Sequence, residues 1–192
     1  MNAASWNSNP EVLRVLIEHG ANVNAVTTGG GLTPLMMAAN GNPNPEVLRV
    51  LIENGADINI VTENGSTLLI IAAWFNPNPE VLRVLIEHGA NINAVAENGE
   101  TPLLAAAGNS NPEILQILIE HGADVNVADN SGMTPLIAAA WFSQNPEILR
   151  ILIENGADVT AKDHEGNNAL YYAEQNEALR GTDVYNLLLN LS

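Results

Sequence analysis

The sequence predicts an all-α fold, a helical repeat solenoid, on three observations. One eleven-residue phrase is written five times: PEVLRVLIEHG from Pro10, PEVLRVLIENG from Pro45, PEVLRVLIEHG from Pro79, PEILQILIEHG from Pro112 and PEILRILIENG from Pro146. Successive starts lie 35, 34, 33 and 34 residues apart, the spacing of a supersecondary unit stacked on copies of itself. A second phrase alternates with the first: GLTPLMMAA from Gly31, GSTLLIIAA from Gly65, GETPLLAAA from Gly99, GMTPLIAAA from Gly132 and GNNALYYAE from Gly166. Stacked units of this kind form one continuous core, so the repeat overrides the one or two globular domains that 192 residues would otherwise suggest.

Each module opens on a Gly turn and a short helix. In Thr-Pro the hydroxyl caps a free amide and the proline, lacking an N–H, wastes none at the first helical position. Thr33, Thr101 and Thr134 are therefore expected N-caps; Thr67 caps without the proline, and Asn168 takes the role in the last module. A connection follows, NGNPNPE, WFNPNPE, GNSNPE or WFSQNPE. Its Asn-Pro-Glu repeats the start signal, making Asn44, Asn78, Asn111 and Asn145 caps with an acidic residue at the positive end of the helix dipole. All ten prolines sit at a helix start or within two residues before one, and none interrupts a helix.

The second helix carries, in one copy, Val47, Leu48, Val50, Leu51 and Ile52 against a narrow polar stripe of Glu46, Arg49 and Glu53. A helix that apolar is covered on more than one side. It ends at Gly20, Gly55, Gly89, Gly122 or Gly156, the residue type suited to a left-handed cap. Asn and Asp then lead through a turn to the next module.

Turn, Thr-Pro-Leu helix, connection, Leu/Ile-rich helix and Gly-Ala-Asp/Asn at this spacing resemble the ankyrin repeat over essentially the whole chain. The resemblance implies an ankyrin-repeat stack of antiparallel helix pairs with projecting hairpin loops. It implies one domain over 1–192: a partial repeat 1–27, repeats 28–61, 62–95, 96–128 and 129–162, and a C-terminal capping repeat 163–192. Three departures stand out. The family's His after Thr-Pro-Leu is replaced by Met36, Ile70, Leu104, Ile137 and Tyr171. The Asp that opens its turn survives as Asp129 and Asp163, with Thr28, Thr62 and Ala96 elsewhere. Most modules also carry an extra residue between the helices.

Candidate chemistry is sparse. Gly29 to Gly31 form a glycine run, but a phosphate loop needs a following Lys and Leu32-Thr33-Pro34 stands there. His19, His88 and His121 end second helices where Asn54 and Asn155 hold the equivalent place, so the helix dipole explains them better than a metal does. Asp124 and Asn126 echo the start of a calcium loop, but Ala128 breaks the pattern. Arg14, Arg49, Arg83 and Arg150 occupy one repeat position, each four before a Glu, and are expected to form a solvated ion-pair stripe. No nucleophile–base or paired-carboxylate arrangement appears, so the expectation is a non-enzymatic chain with no cofactor.

The aromatic residues are placed instead for contact. Trp6, Trp74, Phe75, Trp141 and Phe142 lie at or near the ends of first helices. On the resemblance these ends and the hairpin tips form a concave binding face, where Trp-Phe pairs two modules apart would flank a notch at Gly108 and Asn109. Two readings stay open: exposed anchors, which commonly dominate binding energy, or rings folded back into the chain's own packing, since Ile70 and Trp74, or Ile71 and Phe75, share a helix face. The expected contact set is Glu63, Asn64, Ser66, Trp74, Phe75, Glu97, Asn98, Glu100, Asn130, Ser131, Met133, Trp141 and Phe142.

Charge narrows the partner. With 22 acidic against six basic residues and a net charge of −16, neither nucleic acid nor anionic membrane is expected as a partner, because phosphate binding rests on Lys and Arg. A basic or amphipathic protein fits an acidic surface, which speeds encounter; solubility alone is the other reading of that charge. Zero cysteines, no membrane-length apolar run and no signal-like start predict a cytoplasmic protein.

The ends differ. Val184, Leu187, Leu188 and Leu191 form a stripe suited to a capping helix covered on one side. At the other end Val12, Leu13, Val15, Leu16 and Ile17 have only part of a first helix to pack on. Either the natural chain extends upstream or another chain covers this half-repeat end to end; otherwise a monomer is expected. The function expected is a protein–protein interaction scaffold. The alternatives are an assembly or spacer module, or the recognition part of an enzyme or effector whose catalytic domain lies elsewhere.

Overall fold

The structure, a computed structural model, describes residues 4, 7–28 and 31–191; Trp6, Gly29 and Gly30 lie outside the described residues. Eleven helices occur among those described: α1 Pro10–Glu18, α2 Pro34–Gly41, α3 Pro45–Glu53, α4 Leu68–Phe75, α5 Pro79–Glu87, α6 Pro102–Ala107, α7 Pro112–Glu120, α8 Pro135–Phe142, α9 Pro146–Glu154, α10 Ala169–Gln175 and α11 Asp183–Leu191. Every cap expected from sequence is made. Thr33, Thr67, Thr101 and Thr134 each accept the amide three residues on, as Asn168 does from Tyr171. Asn44, Asn78, Asn111 and Asn145 accept from the Glu two residues on at 3.0–3.1 Å.

The chain divides into two compact units, Met1–Glu97 and Asn98–Ser192. In the first, α2 packs on α3 and on α4, while α3 lies between α1 and α5. In the second, α8 packs on α6, α9 and α10, while α9 lies between α7 and α11. Repetition of the sequence thus becomes repetition of packing: Val47, Leu48, Val50 and Leu51, and likewise Val81, Leu82, Val84 and Leu85, are sealed from solvent. At about 25 cal/mol per Å² of apolar surface, this repeated aliphatic layer is the main source of stability. Helix α1 departs from it as expected. Leu13 is buried, but Val15 and Leu16 are 51% and 43% exposed where their counterparts in α3 and α5 are covered.

The hairpins are turns rather than strands. A single bridge, Val61 to Thr67, is the one β pairing among the described residues, and the turns are closed by pairs of backbone bonds, such as Thr62 N to Ser66 O at 3.0 Å with Gly65 N to Thr62 O at 2.9 Å, or Asp129 N to Met133 O at 3.1 Å with Gly132 N to Asp129 O at 3.0 Å. Neighbouring turns are joined by one more: Glu97 N donates to Asn64 O at 3.1 Å, Asn130 N to Asn98 O at 3.0 Å and His164 N to Ser131 O at 2.9 Å. Gly99 is the most confined of the glycines that precede a first helix. Its φ is +86°, and a Cβ there would lie 2.6 Å from the Asn130 nitrogen.

Two expectations need correction. The arginines do not pair with the Glu four residues on. Arg14, Arg83 and Arg150 bind the Glu three residues before, at 3.0–3.3 Å, and Arg14 and Arg49 also reach Glu46 and Glu87 of the neighbouring helix, at 2.8 and 3.7 Å. Helical side chains lean towards the N-terminus, which turns Arg14, Arg83 and Arg150 back towards the preceding Glu. In α11, Val184 and Leu188 are buried and Leu187 half-buried, but Leu191 is 46% exposed, being the last residue of the helix.

Candidate functional site

The first helices α2, α4 and α8 each end beside a buried carboxamide or hydroxyl, which in α4 and α8 directly follows the aromatic pair. Asn42, Asn76 and Ser143 follow the last residues of α2, α4 and α8 and are buried. The Asn76 side-chain nitrogen donates to Ala39 O at 3.0 Å and Asn42 O at 3.1 Å, while its Oδ1 accepts from Asn78 N at 3.0 Å. Asn176 repeats this on Ala140 O at 3.1 Å and Ser143 O at 2.9 Å. Helix-end carbonyls have no intrahelical partner, so one asparagine satisfies its neighbour's helix end and shapes its own turn. The sequence reading missed this role. The signal was an Asn or Ser two residues ahead of the capping Asn in module after module.

In the first unit, Phe75 stands 62% exposed at the end of α4. Trp74 is half-buried beside it, the ring centroids 6.1 Å apart. Phe75 and Ile71 share a helix face and, with Leu32, Met36, Met37 and Asn40, line a mainly apolar recess of about 250 Å³ between α2 and α4.

In the second unit, Trp141 and Phe142 are 49% and 47% exposed at the end of α8. Their rings stack at 4.9 Å, and Trp141 also stacks on Tyr172 of α10 at 4.7 Å. Tyr172 is held from below: its hydroxyl donates to Asp163 Oδ2 at 2.5 Å. Burial pulls the Asp163 carboxyl upward, but the Tyr172 hydroxyl and the amides of Asn167, Glu165 and Gly166 outweigh it and hold the group below the ordinary carboxylate range. Beside these rings lies a groove of about 390 Å³, lined by Trp141, Gln144, Tyr172, Gln175, Asn176, Glu177 and Ala178. Of the two readings of the Trp-Phe pairs neither holds throughout. Three rings are about half exposed or more, and Trp141 is packed as well as exposed.

The hairpin candidates separate. Glu63, Asn64, Glu97, Asn98, Asn130 and Ser131 are exposed, and Glu100 and Met133 are half-buried. Ser66 is buried, 8% exposed, its amide bound to Thr62 Oγ1 at 3.0 Å and its carbonyl to Thr62 N; the turn that makes the hairpin consumes it, so it is not available for contact.

A family model described as "Ankyrin repeats (3 copies)" matches residues 1–96 and 78–163. The chain belongs to the ankyrin-repeat family. No curated protein matches it. Ankyrin repeats are protein–protein interaction modules and typically non-catalytic scaffolds that bind protein partners. Among the described residues, no helix is long and apolar enough to cross a membrane, and no group of three or more acidic, His or Cys residues is arranged to hold a metal.

One departure from the ankyrin pattern, at the turn Asp, has a local account. Where the turn Asp is kept, Asp129 Oδ1 accepts from the amides of Ser131 and Met133 at 2.8 and 2.9 Å; where Thr62 replaces it, the hydroxyl takes over the Ser66 amide. His19, His88 and His121 each bond, through Nδ1, the carbonyl four residues back at 2.7 Å. Asn54 and Asn155 do the same through Nδ2 at 2.7 and 2.8 Å. A carbonyl only accepts, so in His the proton sits on Nδ1; the two residue types are interchangeable there because both present a donor at that reach.

Proposed function

We propose that this ankyrin-repeat chain is a non-enzymatic, monomeric scaffold of the cytoplasm that captures a basic or amphipathic protein segment. The contacts are made by the first-helix ends and the hairpin tips. One observation carries the reading: Phe75, Trp141 and Phe142 stay 47–62% exposed at equivalent helix ends, whereas aliphatic side chains at core positions are almost wholly covered. Rigid aromatic side chains bury much area at low entropic cost, which is why they anchor interfaces. Exposed Glu63, Asn64, Glu97, Asn98, Asn130 and Ser131 supply the polar rim, and the net charge of −16 favours a basic partner.

Affinity capture from a lysate, with the wild-type chain and a Phe75→Ala/Trp141→Ala/Phe142→Ala variant run side by side, tests it. Partners retained by wild type and lost by the variant are expected. Equal retention by both would remove the aromatic ends from the account.

A further inference from the structure

We propose that the groove between the ends of α8 and α10 is a binding site for an arginine side chain. The inference rests on the partner-binding reading and names the group such a partner would insert there. The polar groups of the groove are spent unevenly. Asn176 is saturated, its nitrogen on Ala140 O and Ser143 O and its oxygen on Ala178 N. Gln175 commits its donor, Nε2, to Tyr171 O at 3.1 Å, which leaves its oxygen as the acceptor. Glu177, the one charged residue lining the groove, is exposed and makes no ion pair or hydrogen bond among the described residues. The chain's own Arg180 turns elsewhere, its Nε on Glu174 O at 2.6 Å.

What the groove offers, therefore, is a carboxylate and a carbonyl oxygen beside a fixed aromatic wall. That wall is Trp141, stacked on Phe142 and Tyr172. A guanidinium suits all three features. It is planar and weakly hydrated, it packs against aromatic rings, and its divergent N–H groups reach two acceptors at once. An ammonium is a compact, strongly hydrated charge and uses the wall poorly. The net charge of −16 adds long-range attraction for a cation.

The test is an NMR titration of the ¹⁵N-labelled full chain with a blocked Gly-Gly-Arg-Gly-Gly peptide, repeated with lysine and with neutral citrulline in place of arginine. Saturable shifts are expected at the Trp141 indole N–H and the Gln144 and Gln175 side-chain amides. They should be weaker with lysine and absent with citrulline, and Glu177→Gln should loosen arginine about tenfold, as loss of one charge-assisted hydrogen bond does. Phe75→Ala, in the other unit, should leave the titration unchanged while weakening capture of a partner. Equal shifts with citrulline or lysine, shifts spread over the whole acidic surface, or indifference to Glu177→Gln would overturn the arginine site. If capture survives while the titration fails, only this inference falls; if the titration succeeds while capture is unaffected by the aromatic substitutions, only the wider reading falls.

Discussion

The Tyr172 hydroxyl and the Asp163 carboxylate, nine residues apart, form a buried hydrogen bond of 2.5 Å that ties the last hairpin turn to α10. Because α10 also carries the ring on which Trp141 stacks, a structural bond supports the exposed end of α8.

That bond makes stability depend on pH at both extremes. Asp163 has a lowered folded pKa, so its contribution is complete above the unfolded value of about 3.9 and is lost as pH falls through the folded one. Tyr172 is pushed above 10.0, first by its hydrogen bond to Asp163 and then by burial. Its contribution is complete below that value and is lost as pH rises through the folded pKa. Tyr172→Phe should cost about 1 kcal/mol at neutral pH. In thermal melts the gap between wild type and variant should close below about pH 4 and above about pH 10; a gap constant across that range would mean the bond is not formed.

Asn76→Ala should destabilise more than Asn78→Ala. The first strands the Ala39 and Asn42 carbonyls in a site closed to water, a loss of about 3 kcal/mol. The second removes a half-buried cap, worth about 1 kcal/mol. Urea unfolding of both variants checks the order, and equal midpoints would contradict it.

Gly99→Ala and Gly122→Ala separate backbone strain from crowding. Both glycines have positive φ, +86° and +88°, but an added Cβ meets the next turn at 2.6 Å only in Gly99. Gly122→Ala should cost about 1 kcal/mol from conformation alone. Gly99→Ala should cost about 3 kcal/mol, since the nearest atom it meets, Asn130 N, is backbone and cannot swing away. Calorimetric melting temperatures measure the difference.

Among the aromatic ends, Phe75→Ala should leave stability within about 0.5 kcal/mol of wild type, as exposed positions do. Trp141→Ala should cost about 1–2 kcal/mol because it removes the stacking on Tyr172. Chemical denaturation reads both; an equally large loss for Phe75→Ala would make that ring part of the core.

Helix positions, caps and the buried layer were legible in the sequence because they follow local rules. A Thr-Pro or Asn-Pro-Glu start and a repeated Leu/Ile phrase carry their reason within a few residues, and Thr33, Asn44 and Leu48 do what their types dictate. The site was half legible. Trp141 and Phe142 could be picked out as aromatic residues at a helix end, but not that Tyr172, 31 positions further on, would stack on one of them, nor that Ser66 would be consumed by its own turn.

By itself, then, the sequence determined the repeat, the helices and their stacking layer, since each rests on short-range geometry multiplied by repetition. Only the tertiary structure decided which asparagines bridge one repeat to the next, which glutamate each arginine binds, and which ring stays open. Those outcomes depend on side chains from different repeats meeting across a packed interface, where distance and burial rather than residue type choose the partner.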